Sequence, residues 1–176
     1  MKTIEKLTIT DAKLRNAITG MISKISKLSL DPEKTAIIAI GRGGFVPAQY
    51  AAYGLGISAI YSIQSVLYDD DNKQTKTQHI SGIYNIPYDE YENFLVVDDI
   101  YDKGTTMDNV IDVLIEAADD QMEVYTDSRP HFIPCVTYTQ KSKKKMKAKG
   151  IIFGRKIKKV NGVRPWLIFP WDEGGE

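Results

Sequence analysis

The chain has one cysteine and two histidines in 176 residues. The lone thiol, Cys135, closes no internal disulfide, and no Cys/His spacing fits a structural metal site. That excludes a small secreted scaffold held by bridges and favours a reducing, cytoplasmic setting. Net charge is missing as well, since 23 Lys and Arg balance 23 Asp and Glu. Affinity for nucleic acid through overall attraction to phosphates is therefore not expected. No apolar run approaches the ~18 residues of a membrane span. The opening MKTIEKLTIT lacks the long apolar stretch of a signal peptide, so neither secretion nor membrane insertion is expected. Internal repeats, Pro-rich or Gly/Ser linkers and composition shifts are absent too, and residues 1–176 read as one domain. At this length a chain buries roughly 70% of its unfolded surface and needs no covalent staple.

Balanced totals hide local clustering. Acid collects at Asp69 to Asp71, Asp89 to Glu92, Asp98 to Asp102 and Asp172 to Glu176, while residues 141–149 carry six lysines. Asp11 to Leu28 reads as an amphipathic helix with Leu14, Ile18, Met21, Ile22, Ile25 and Leu28 on one stripe, weakened by Gly20. Thr35 to Ile40 is a short, continuously apolar and β-branched run of the kind buried on both faces of a parallel sheet, Ile57 to Ile63 reads as a second strand and Phe94 to Val97 as a third, buried one. Between the first two, Pro47 sits near the start of a helical stretch ending at Leu55. Thr105 to Ala118 is helical, with Val110, Val113, Leu114 and Ala117 facing inward. Strands near His131 to Tyr138 and Gly150 to Phe153 complete the pattern, Pro134 placing the first of them near an edge. The polar stretch Ser65 to Gly82 reads as a long mobile loop, a lid in function. The alternation predicts an α/β fold with a central, mainly parallel sheet flanked by helices and a ligand at the carboxyl ends of its strands.

Chemistry concentrates in FLVVDDIYDKGTT, residues 94–106. Neither Asp98 nor Asp99 suits an apolar core without a partner, which places the pair at the solvent end of its strand. Two adjacent acceptors suit vicinal hydroxyls of a ribose, directly or through Mg²⁺. Thr105, Thr106 and the free amides of the first helical turn suit a phosphate. A phosphate beside a diol describes a phosphoribosyl group. Adjacent acids before a helix also serve as plain caps, yet Asp98, Asp99 and Asp102 together exceed what a cap needs, and their mutual repulsion calls for a ligand or cation. The turn Gly41-Arg42-Gly43-Gly44 lacks the third glycine of a dinucleotide loop and the Gly-Lys-Ser/Thr of a P-loop. It permits close backbone approach to an anion and supplies one guanidinium; a tight structural turn explains it equally well in isolation. His79 and His131 have no partner pattern, Trp171 reads as core, and the lysine run as a solvated loop or, failing that, a nucleic-acid or anion patch, though without the interleaved aromatics of a single-strand binder.

These residues carry a resemblance. FLVVDDIYDKGTT resembles the 5-phosphoribosyl 1-diphosphate (PRPP) motif of type I phosphoribosyltransferases, AIGRGGFVPAQYAAYGLGI resembles the diphosphate-loop segment of their xanthine/guanine/hypoxanthine branch, and PWLIFPWD resembles that branch's purine-binding ending. Lys103 stands where the family usually has Thr, and no Ser precedes Tyr68 in the lid. The resemblance implies the type I core with a small hood built partly from the C-terminal segment. It implies an Mg²⁺-dependent enzyme that transfers the phosphoribosyl group to a 6-oxopurine in the cytoplasm, as a dimer or tetramer. Asp98 and Asp99 would hold the ribose hydroxyls and Mg²⁺, and Asp102, Lys103, Gly104, Thr105 and Thr106 the 5-phosphate. Arg42, Gly43 and Gly44 would receive the diphosphate. Asp102 would also accept a proton near the purine N7, Trp166 would stack on the base, the Leu167 carbonyl and Asp172 would meet its 2-position, and Lys141 its 6-oxygen. Two alternatives stand beside this reading: a PRPP-binding regulator without transferase activity, and a transferase for a different base.

Overall fold

The computed structural model describes residues 5–68, 74–122, 129–141 and 150–172. Within these, the elements run β1 (Lys6–Thr8), α1 (Asp11–Ile25), β2 (Thr35–Gly41), α2 (Phe45–Leu55), β3 (Ile60–Tyr68), β4 (Gln74–Ser81), β5 (Asn93–Tyr101), α3 (Thr105–Gln121), β6 (His131–Thr139), β7 (Ile152–Lys156) and β8 (Trp166–Ile168). Six strands form one sheet in the order β4-β3-β2-β5-β6-β7, parallel apart from the β3–β4 pair. The expected α/β architecture is present. β1 and β8 pair in parallel as a separate ribbon, Lys6 opposite Trp166 and Thr8 opposite Ile168.

Alternation along the central strands explains their composition. Ala36, Ile38 and Ile40 of β2 join Phe94 and Val96 of β5 on one face, where Met107, Val110, Leu114 and Ala117 of α3 cover them. Ile37, Ala39, Leu95 and Val97 face the other way, onto Met21 and Ile25 of α1 and Ala48, Ala51 and Ala52 of α2. Both faces are buried, so these strands need unbroken apolar runs rather than an apolar/polar alternation. A third cluster, Leu14, Ala17 and Ile18 of α1 with Tyr138, Leu167 and Phe169, seats the β1–β8 ribbon against the end of the domain.

Four expectations need correction. First, Ser65 to Gly82 is not a loop among the described residues: β3 and β4 form an antiparallel hairpin, with Ser65 opposite Ile80 and Val66 opposite His79. An antiparallel hairpin at a sheet edge leaves much of its surface in water, so its polar sequence carries no apolar run to betray it. Residues 69–73, with the acids Asp69 to Asp71, lie outside the described residues. Second, β3 starts at Ile60 rather than Ile57, and β5 runs past Val97 to Tyr101. The acids therefore lie inside β5, not after it. Third, β6 is interior, flanked by β5 and β7, but β7 pairs only from Cys135 onward, so Pro134 precedes that contact and its missing amide disturbs nothing there. Fourth, α1 stops at Ile25 and a 3₁₀ turn, Ser26–Leu28, finishes the segment with Leu28 exposed. Beyond these, β1 carried no expectation, since three residues are too short to show a period. The lysine run beyond Lys141 lies outside the described residues.

Candidate functional site

The strand order sets the location. From β2 the chain crosses to β3 on one side, whereas β5 is followed by β6 on the other, so the order reverses between β2 and β5. A crevice opens at the carboxyl ends of strands at such a point. Here the two strands pair from Thr35/Asn93 to Ala39/Val97 and then part, β5 continuing alone with β6. The Gly41–Gly44 turn leaves one lip of that crevice, and Asp98, Asp99 and the turn into α3 form the other.

Asp98 is 9% exposed and Asp99 half-buried. Asp98 Oδ1 accepts from the Asp99 amide at 2.9 Å, which folds its carboxylate back along the strand. Burial, reinforced by the Asp99 charge, holds the Asp98 carboxyl well above the ordinary carboxylate range. Burial, with the charge of Asp172 adding to it, pushes Asp99 up to about 6. No side chain among the described residues forms an ion pair with either. Two desolvated carboxylates without a counter-charge fit a hard divalent cation. No group of three His, Cys, Asp or Glu among the described residues could enclose a metal. A cation on Asp98 and Asp99 would therefore draw its other ligands from water or a substrate, as Mg²⁺ does beside phosphates.

The opposite lip is built to touch this pair. A Cβ on Gly43 would lie 2.1 Å from Asp99 Oδ2, so only glycine lets the turn close on that carboxylate. The Gly44 amide donates to Ile40 O at 2.8 Å and is not offered to a ligand; Gly44 contributes space, and donation falls to Arg42 and Gly43. The Arg42 side chain is exposed and forms no ion pair among the described residues, and the Gly41–Arg42 peptide is cis. Across the crevice, α3 begins at Thr105 after Gly104, whose φ of 91° suits glycine, and no side chain caps the helix. Asp108 N already bonds Gly104 O at 2.9 Å, leaving the amides of Thr105 to Met107 as unpaired donors beside a positive dipole end. Tyr101, fully buried, donates its hydroxyl to Asp108 Oδ1 at 2.9 Å and so fixes the turn from below.

The residues expected to meet a base come from two further elements. Lys141, just past β6, donates its ammonium to Lys103 O and lies 5.4 Å from the Tyr101 ring. Trp166 is 64% exposed at the start of β8, its amide bonded to Glu5 O at 2.7 Å, while Leu167 is buried. Asp172 Oδ2 accepts from Phe169 N at 2.9 Å, and its charge reaches Asp99. Trp171 stacks on Phe169 at 4.8 Å and remains 38% exposed, so it is half core and half surface. His79 and His131 are exposed.

The family model of the phosphoribosyl transferase domain matches residues 7–173. The chain belongs to the phosphoribosyltransferase family. Its fold is also that of a hypothetical protein from Neisseria gonorrhoeae solved with bound ppGpp (24% identity, TM-score 0.69, 98% of this chain and 92% of that one). A xanthine-guanine-hypoxanthine phosphoribosyltransferase from Helicobacter pylori is similar at 19% identity and a TM-score of 0.67, over 96% of this chain and 94% of that one. A purine phosphoribosyltransferase from Pyrococcus horikoshii gives 19% and 0.63, over 96% and 95%.

Two residues of this phosphoribosyltransferase escaped the sequence reading. Arg164 Nη1 pairs with Asp102 Oδ1 at 3.3 Å, and Gln140 Nε2 donates to Pro165 O at 2.7 Å. Neither stands at a spacing that marks chemistry; their distance from Asp102 along the chain, 62 residues for Arg164, closes only in the fold.

Proposed function

We propose that the chain transfers the 5-phosphoribosyl group of PRPP to a 6-oxopurine, guanine, xanthine or hypoxanthine, yielding a nucleoside monophosphate and diphosphate. The observation that carries this reading is the meeting of Asp99 with Gly43 at the reversal of strand order, between an uncapped helix N-terminus and an exposed tryptophan. A diol, two phosphate positions and a flat base would each find a complementary group among these residues. The ppGpp in the Neisseria structure supports the same combination of guanine and phosphates.

The amides of Thr105 to Met107 and the hydroxyls of Thr105 and Thr106 hold the 5-phosphate, with Lys103 and Gly104 shaping the turn. Arg42 and the Gly43 amide hold the diphosphate, and Gly44 lets the turn approach. Asp98 and Asp99 accept from the ribose hydroxyls and fit Mg²⁺, directly or through water. Mg²⁺, when bound, neutralises charge on the leaving diphosphate and orders its oxygens. As the C1–O bond breaks, its electron pair leaves with diphosphate and positive charge grows on the ribose, which the nearby carboxylates stabilise. The purine nitrogen then bonds to C1 while Asp102 takes the ring proton. Trp166 stacks on the base, Lys141 donates to its 6-oxygen, and the Leu167 carbonyl with Asp172 faces its 2-position. The β3–β4 hairpin excludes water that would hydrolyse PRPP.

The protein works in the cytoplasm as a homo-oligomer, without nucleic acid or membrane partners. Buried, unpaired Cys135 supports the compartment, and among the described residues no helix is long and apolar enough to cross a membrane. The exposed Val46, Tyr50 and Tyr53, one stripe along α2, support the association. The test is incubation of protein, Mg²⁺ and PRPP with guanine, xanthine, hypoxanthine, adenine, orotate and uracil. Diphosphate release with an oxopurine is expected; release with none, alongside measurable PRPP binding, would replace the transferase by a PRPP-binding regulator.

A further inference from the structure

We propose that Arg164 is a positioning residue that holds the proton-accepting carboxylate of Asp102 in register with the stacking ring of Trp166. The inference rests on the transferase reading above and concerns how two of its parts are kept together.

The contact joins separate elements. Asp102 follows β5, and Arg164 precedes β8, on the segment that would cover the base. Their side chains are 43% and 42% exposed. A carboxylate this open to water has no packing to fix its rotation, and an acceptor that must meet one ring nitrogen needs a fixed direction. Arg164 supplies it by taking Oδ1 at 3.3 Å, which leaves Oδ2 for a ligand.

The pair is pre-set from both sides by one residue. Gln140 donates its backbone amide to Tyr101 O at 3.2 Å and its side-chain amide to Pro165 O at 2.7 Å. Tyr101 adjoins Asp102 and Pro165 adjoins Arg164, so the two backbones that carry the ion pair are pinned to the end of the same strand. Thr139 Oγ1 adds a second bond to Tyr101 O at 3.1 Å. Exposure alternates along the covering segment: Arg164 and Trp166 are exposed, Pro165 and Leu167 buried. The guanidinium and the indole thus both reach solvent from one short segment, on either side of the buried Pro165. A base that stacks on Trp166 thereby meets an acceptor already aligned by Arg164.

Stability is not what the pair is for, since open ion pairs contribute little to it. The experiment measures steady-state kinetics for both substrates in wild type, Arg164→Gln, Arg164→Lys, Asp102→Asn and the Arg164→Gln/Asp102→Asn double variant. The expected result is a loss of about tenfold in kcat/KM for the base in Arg164→Gln, the scale of a small misplacement of a reacting group. KM for PRPP should stay at its wild-type value, Arg164→Lys should recover part of the loss, and the loss should vanish in the Asp102→Asn background. Melting temperatures of the Arg164 variants should stay within about 3 °C of wild type. An undiminished kcat/KM in Arg164→Gln, the same loss in both backgrounds, or a loss carried by KM for PRPP would each overturn the proposal while the transferase reading stood. A wild-type protein that transfers to no base would instead remove the reading on which it rests.

Discussion

Replacing Asp99 by Asn should make the protein more stable at neutral pH, and by an amount that depends on pH in a defined way. In the unfolded chain this carboxyl titrates at its ordinary value of 3.8, whereas in the folded protein burial and the Asp172 charge push it up to about 6. Between those values the folded state binds more protons than the unfolded one, so stability falls as pH rises through the window. The penalty is absent below about pH 3, small at about pH 4 and complete above pH ~7, where it amounts to about 3 kcal/mol. Asparagine keeps an oxygen for the Ile100 amide that Asp99 accepts from, but brings no charge into the crevice. It also removes the charge that holds the Asp98 carboxyl up. In a chain of this length about 3 kcal/mol corresponds to a rise in Tm of about 6–12 °C. Thermal unfolding of both proteins from pH 4 to pH 8, without divalent cations or PRPP, should give curves that converge towards the acid end and separate by pH 7, the variant above. Adding Mg²⁺ and PRPP should narrow the gap, because only the native carboxylate gains from a cation. Parallel curves, or a wild-type protein more stable at pH 7.5, would refute the claim that the pair stands desolvated without a counter-charge.

Three further substitutions probe other parts of the site. Asp102→Asn should lower turnover by about 10² or more, the scale of one acid/base group, while PRPP binding by calorimetry stays nearly intact. Trp166→Ala should raise KM for the base far more than KM for PRPP in steady-state assays, and equal effects would remove the stacking role. In Gly43→Ala the new methyl lands 2.1 Å from Asp99 Oδ2, so one lip must retreat; PRPP affinity should fall at least about tenfold in a binding titration, with the purine-side KM less affected.

Much of this was legible in the residues themselves. TAIIAI and FLVV were legible as strands buried on both sides because they are unbroken, short apolar runs rich in β-branched residues, and their neighbours on both faces are apolar. The acids and the GTT turn were legible because a desolvated charge is costly wherever it sits, so a cluster of acids at the end of a buried strand calls for a ligand or cation. The hairpin β3–β4 was not, since an edge hairpin in contact with water has the composition of a loop. The extension of β5 was missed for a related reason: Asp98 and Asp99 end the apolar run, but the backbone continues to pair with β6 through Ile100 and Tyr101. Arg164 and Gln140 were invisible, because what they do depends on the distance between Tyr101 and Pro165 in space, and no local pattern encodes it.

The β1–β8 ribbon also bears on the order in which the protein assembles. Lys6 and Trp166 pair across 160 intervening steps of chain, and loops of that size close late because their ends meet rarely. The strands that shape the crevice, from β2 to β6, all fall between Thr35 and Thr139. By this ranking a folding chain builds the crevice before it closes the ribbon that carries Trp166, and on warming the ribbon frays before the crevice comes apart.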